Sequence, residues 1–146
     1  MIYFVAFTIL FAVLGFLYLN VNIISLILIL AMIPFVIYFS REDSKELNTI
    51  FLNQSFAYIL AFFMSLKWKE FDRVNLYIYF LSLSSYLRIV YLFSRKKLFK
   101  FFFWFPIGYV VGDIFYLKFN NPYLFFLGFL LVILIGIRDQ KLGRSR

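Results

Sequence analysis

The chain has 146 residues, of which 64% are hydrophobic and 25% aromatic, far above the apolar half of an ordinary water-soluble domain. A soluble helix needs a polar outward face, and long uncharged runs carrying 23 Phe and 11 Tyr leave none, so lipid is the fitting solvent. The net charge of +8 gathers in the short segments between those runs, a pattern of membrane topology and lipid headgroup contact that excludes a nucleic-acid-binding face.

Cysteine and histidine are both absent. That removes a disulfide framework, a thiol nucleophile, a Ser-His-Asp triad and a zinc hydrolase site, and neither a metal nor a cofactor is expected. Met1 is followed directly by apolar residues, with no basic segment and no small-x-small site, so no cleaved signal peptide is expected.

The expected fold is all-α, a polytopic helical membrane protein in which residues 1–146 form a single transmembrane domain of about six helices. The first apolar stretch, residues 2–39, is about twice the length that crosses a bilayer and has to fold back. Its only polar interruption is Asn20-Val21-Asn22, which predicts helices over 2–19 and 23–39 with a tight turn between them. A charged loop at 40–48 precedes a third helix over 49–66. The loop 67–73 leads to a fourth over 74–93, and the most basic loop, 94–100, leads to a fifth over 101–117. A turn at 118–122 opens the shortest helix, 123–137, and a basic tail follows.

With six crossings, the loops at 40–48 and 94–100 share a side with the tail and carry two, four and four Lys or Arg. The other side carries none at 20–22, three at 67–73 and one at 118–122. Ten against four places both termini in the cytoplasm (N-in/C-in), with the cell membrane as the expected location. Pro34 and Pro106, each in the second helix of a three-helix half, allow a faint inverted repeat of the kind found in transporters.

Few polar residues lie inside the predicted spans. Asp113 is the acidic one, and an intramembrane carboxylate is costly enough to mark a functional hypothesis. Tyr109 and Tyr116 share its helical face, and Gly108 and Gly112 form a GxxxG pair beside it. Two readings stand: a proton or cation site or catalytic acid, and an interhelical hydrogen-bond partner that fixes packing. The second is the simpler.

Arg88 is the basic residue within a span, following Tyr77 and Ser84 and preceding Tyr91 at helical spacing along one face. It lies about 8 Å from the cytoplasmic end of its helix and Asp113 about 18 Å, which argues against a bridge between them. Snorkelling of Arg88 to the headgroups is expected instead. Asn53, Ala57, Ala61 and Ser65 form a narrow face of small side chains that reads as helix packing, as do Thr8, Ala12 and Gly15. Gln54, beside Asn53, reads as buried amide glue or as the lining of a polar cavity.

Pairing Asp43 with Asp113 invites comparison with intramembrane aspartyl proteases, but the glycine two positions before Gly112 is missing from their GxGD motif, and the two aspartates lie at different depths. The segments VVGDIFYL at 110–117 and FFLGF at 125–129 resemble the lysoplasmalogenase family of membrane lipid hydrolases over about a fifth of the chain. That family has about eight spans and a histidine after the glycine, which this chain lacks. The resemblance implies a lipid-directed hydrolase or transferase using Asp113, with Glu42 or Asp43 as loop carboxylates. The reading from the residues themselves is a membrane-complex subunit, scaffold or small transporter-like component, whose partners are the bilayer and a second copy or another membrane protein. Whether the chain is an enzyme stays open at this point.

Overall fold

Backbone N–H and C=O groups in apolar surroundings are satisfied only inside a helix or a closed barrel, and the uninterrupted runs of Leu, Ile, Phe and Val here take the first route. A computed structural model describes residues 1–41, 44–68 and 71–142, and within them every element is helical. The order is α1 (Ile2–Tyr18), α2 (Ile23–Phe39), α3 (Ser44–Phe63), a π-helical turn (Met64–Trp68), α4 (Phe71–Ser94), α5 (Lys97–Phe102), α6 (Trp104–Phe119) and α7 (Pro122–Leu142). Four stretches are long and apolar enough to cross a membrane: Lys45–Lys67, Asp72–Ser94, Lys97–Phe119 and Pro122–Lys141. α1 and α2 are apolar and shorter. The chain divides into two compact units, Met1–Ser82 and Leu83–Arg146, with the boundary inside α4.

Several helix boundaries differ from the sequence expectation, and three of the differences have a clear physical cause. α3 starts at Ser44 rather than residue 49, because Glu46 lies in the first turn, where a carboxylate complements the positive end of the helix. The helix expected over 101–117 is two helices broken at Phe103. Pro106 has no N–H to offer the Phe102 carbonyl and its ring crowds that carbonyl, so the helix is interrupted one turn before it. α2, in contrast, runs through Pro34 without a break. Finally, α7 continues past residue 137 to Leu142, since no glycine or proline intervenes before Gly143.

In the first unit, the turn between α1 and α2 is held on both sides. Asn20 takes a left-handed φ of 51°, a conformation asparagine tolerates, and the Leu19 and Val21 N–H groups both reach the Gly15 carbonyl. The Asn22 side chain caps α2 by accepting from the Ile24 N–H at 3.1 Å. Asn75, near the start of α4, then clasps the turn with its amide. Its Oδ1 accepts from the Asn22 N–H at 2.7 Å and its Nδ2 donates to the Asn20 carbonyl at 3.4 Å.

Further along α1, Phe11 stacks on Tyr58 of α3 with ring centroids 4.3 Å apart. The Tyr58 hydroxyl meets Thr8 Oγ1 at 3.2 Å and accepts from Gln54 Nε2 at 3.4 Å, so a short polar thread crosses this apolar contact. Asn53 donates to the Leu81 carbonyl at 2.8 Å. Ala57, Ala61 and Ser65 are buried on the same helix face.

In the second unit α6 and α7 form an antiparallel pair. Asn120, again left-handed at φ 49°, ends α6, and Asn121 caps α7 by accepting from the Tyr123 N–H at 3.0 Å. Glycines bring the two backbones together: a Cβ on Gly112 would lie 2.7 Å from the Phe125 carbonyl oxygen, and one on Gly128 3.2 Å from the Gly112 Cα. At Gly108 a Cβ would meet the Phe129 ring at 3.0 Å, and at Gly136 the Trp104 ring at 2.8 Å.

A backbone atom cannot step aside as a ring can. Gly112→Ala is therefore expected to destabilise the protein by about 1–3 kcal/mol, and Gly108→Ala by less. Thermal unfolding in detergent reads the order directly, and equal melting temperatures for the two variants would contradict it.

Candidate functional site

Four helices of the second unit converge on one carboxylate. Arg88 comes from α4, Lys100 from α5, Trp104 from the first turn of α6 and Asp139 from the last turns of α7. Local features set each in place. α4 ends at Arg95, whose left-handed φ of 56° turns the chain while its N–H closes on the Tyr91 carbonyl at 2.7 Å. The break at Phe103 then redirects the chain between Lys100 and Trp104. The absence of a side chain at Gly136 makes room for the Trp104 indole, one turn of α7 before Asp139.

Asp139 Oδ2 accepts from Arg88 Nη1 at 2.9 Å and from Trp104 Nε1 at 3.1 Å. Lys100 Nζ lies 3.8 Å from Oδ1. Arg88 Nη1 also approaches the Lys100 carbonyl at 3.5 Å, and Gln140 Nε2 donates to the Lys97 carbonyl at 3.2 Å, which fastens the end of α7 to α5. Aromatic faces complete the enclosure: the guanidinium carbon sits 4.9 Å from the centre of the Phe103 ring, and the Lys100 ammonium 5.7 Å from that of Tyr91.

Arg88 is only 1% exposed and Lys100 is buried as well. Moving a guanidinium out of water costs several kcal/mol, and a charge-assisted bond to a carboxylate that is itself held by an indole N–H is the arrangement that offsets it. Arg88 thus corrects the snorkelling expectation: its charge is met inside the protein, by Asp139. The acid belongs to the segment read as a tail outside the last helix, and it reaches Arg88, half-buried, because α7 continues through it to Leu142.

Asp113 lies on α6 beside Gly112 and is 9% exposed. The two tyrosines expected to flank it differ: Tyr109 packs edge-on against Phe125 at 5.8 Å, whereas Tyr116 is 38% exposed. Asp113 and Arg88 both fall in the second unit, Asn53 and Gln54 in the first. Glu42 and Asp43 lie outside the described residues, so the proposed loop carboxylates have no position here.

Sequence reading missed Asp139, Lys100 and Trp104 as a group, and Asn75 as the clasp of the first turn. One signal was present: Asp139 is the single acid in the basic segment 138–146. Nothing in one-dimensional spacing ties it to Arg88, 51 residues earlier.

No protein-family model matches the chain, and no curated protein or solved structure matches it. The likeness to lysoplasmalogenases rests on the Gly-Asp of 110–117 and the glycine of 125–129 alone. Packing accounts for both glycines, since Gly112 and Gly128 are where α6 and α7 touch.

Replacing one partner of the ion pair leaves the other charge buried and unmatched. Asp139→Asn is expected to cost about 3–5 kcal/mol, the range for breaking a buried pair from one side. Arg88→Met combined with Asp139→Leu is expected to recover part of that loss, because the guanidinium goes with its partner and Lys100 alone is left without the Asp139 carboxylate. Unfolding of the single and double variants in one detergent gives the comparison, and a double variant less stable than both singles would exclude the pairing as a source of stability.

Proposed function

We propose that the chain is a multi-pass integral membrane protein that serves as a structural subunit or scaffold in a membrane assembly. The observation that carries the membrane reading is the outward surface of the long helices. On α7, Phe126, Leu127, Leu130, Leu131, Leu134 and Ile135 are all exposed over a helix of spanning length, an apolar area that water does not tolerate.

The topology that fits is six crossings with both termini in the cytoplasm. Support comes from the ten-to-four distribution of basic residues and from Asn75, which holds the 20–22 turn at the end of the first unit where α4 begins. A structural role is favoured over a catalytic one because Arg88, Lys100 and Asp139 satisfy one another and rigidify the junction of four helices. Asp113 is read as a packing group beside the α6–α7 contact. Its placement next to a glycine that bears on another backbone suits a fixed polar anchor.

The sequence lacks cysteine, so single cysteines report accessibility without background. Introduced at residues 41 and 95, they are expected to react with an impermeant maleimide only from the cytoplasmic side, and at the exposed positions 20 and 120 only from the opposite side. Residues 20 and 95 reacting from the same side would overturn the six-span topology. For the assembly, cross-linking in native membranes is expected to capture the chain with a second copy or another membrane protein. A monodisperse monomer that cross-links to nothing would overturn the scaffold reading.

A further inference from the structure

A groove of about 610 Å³ runs along the first unit between α1 and the α3–π-turn segment, within the range of about 300–1,000 Å³ typical of sites that hold a small molecule. Its walls are Phe7, Leu10 and Leu14 on one side and Ile59, Phe62 and Leu66 on the other. The stacked rings of Phe11 and Tyr58 form part of its lining, and the Tyr58 hydroxyl is engaged by Thr8 and Gln54. Lys67 contributes its aliphatic stem to the lining and carries its ammonium at the groove's end, beside the Phe63 ring.

Two features say what such a groove takes. The first is length. From Phe7 to Leu14 along α1, and from Tyr58 to Lys67 along its neighbour, the groove covers about 10–14 Å at 1.5 Å per residue. That is close to one leaflet, half of a hydrocarbon core of about 30 Å. The second is the position of the charge. Lys67 lies at the end of the spanning stretch Lys45–Lys67, where a helix meets the headgroup region.

The π-turn makes that alignment. Four residues of α-helix overshoot one turn by about 40°. Bonding from i to i+5 takes more than four residues per turn, so the overshoot is lost between Phe63 and Lys67. Lys67 consequently stays on the face of Phe63, its ammonium 5.0 Å from the centre of the Phe63 ring.

We propose that this groove binds a glycerophospholipid, with one acyl chain lying between α1 and α3 and the phosphate on Lys67. The proposal rests on the membrane reading above. An ammonium at the mouth of an apolar channel of leaflet depth matches the layout of a phospholipid, a hydrocarbon chain ending in a phosphodiester, whereas a neutral lipid brings no anion to it.

The test uses the full chain purified in mild detergent and examined by native mass spectrometry. The probes are dioleoyl phosphatidylglycerol and dioleoylglycerol, which share acyl chains and differ by the phosphate headgroup. Wild type is expected to retain one phosphatidylglycerol and to prefer it over dioleoylglycerol. Lys67→Glu is expected to weaken phosphatidylglycerol retention about tenfold while leaving dioleoylglycerol unchanged. Leu10→Trp, at a half-exposed position where a larger side chain fills the groove without entering the core, is expected to displace both lipids.

Equal retention of the two probes by wild type, or no effect of Lys67→Glu on phosphatidylglycerol, would overturn the proposal. So would a lipid-free dimer lost on Leu10→Trp, which assigns the groove to a second copy. Alkaline carbonate separates this outcome from the broader one. Protein that stays in the membrane pellet but carries no lipid fails the groove proposal alone, and protein released into the supernatant fails the membrane reading.

Discussion

A guanidinium sealed among aromatic rings needs a counter-charge within bonding distance, and Arg88 therefore constrains where the last turns of α7 lie and how α5 and α6 approach them. The carboxylate that answers it is held by three donors from three helices, so the direction of each helix is coupled to the others through a single pair of oxygen atoms. Around that point the packing is unusually close. Gly136 admits the indole that binds Asp139, and Gly112 and Gly128 let α6 and α7 meet backbone to backbone. The ion pair and the glycine contacts are one device, since Asp139 reaches Arg88 only if α7 lies flat on α6.

The first unit leans on neutral groups instead. Apart from Glu46 in the first turn of α3, its buried polar residues among those described are amides and hydroxyls, and they work in short relays, Thr8 to Tyr58 to Gln54 and Asn53 to a helix carbonyl, while the half-buried Asn75 reaches both ends of a turn. Neutral groups carry a smaller desolvation cost than ions, and each relay needs only two helices rather than four. The difference suits the placement of the groove, where the Tyr58 hydroxyl behind the wall is engaged by Thr8 and Gln54.

Helical character was legible from the apolar runs, because a run of twenty such residues admits few alternatives. Boundaries were less so. Charged segments such as 44–48 and 138–142 read as loops by polarity, yet Glu46 and Asp139 are good helix residues once a helix N-terminus or a buried arginine receives them. The break at Phe103 follows from Pro106 and could have been read from it. The convergence on Asp139 could not, since Arg88, Lys100, Trp104 and Asp139 follow no common period and belong to four separate elements. Asp113 drew attention by its isolation, a signal of cost that says nothing about which neighbours offset it.

The clasp by Asn75 also has a consequence for the order of events during synthesis. Asn75 is made 53 residues after Asn22, a delay of about 3–10 s at the usual rate of chain elongation. Until α3 follows within that interval, the first hairpin stands on local contacts alone, the Gly15 carbonyl bonded by the Leu19 and Val21 N–H groups and the Val21 methyl resting against Gly15. The turn Asn20-Val21-Asn22 has to close by its own geometry, and the amide that arrives later secures a shape it did not create.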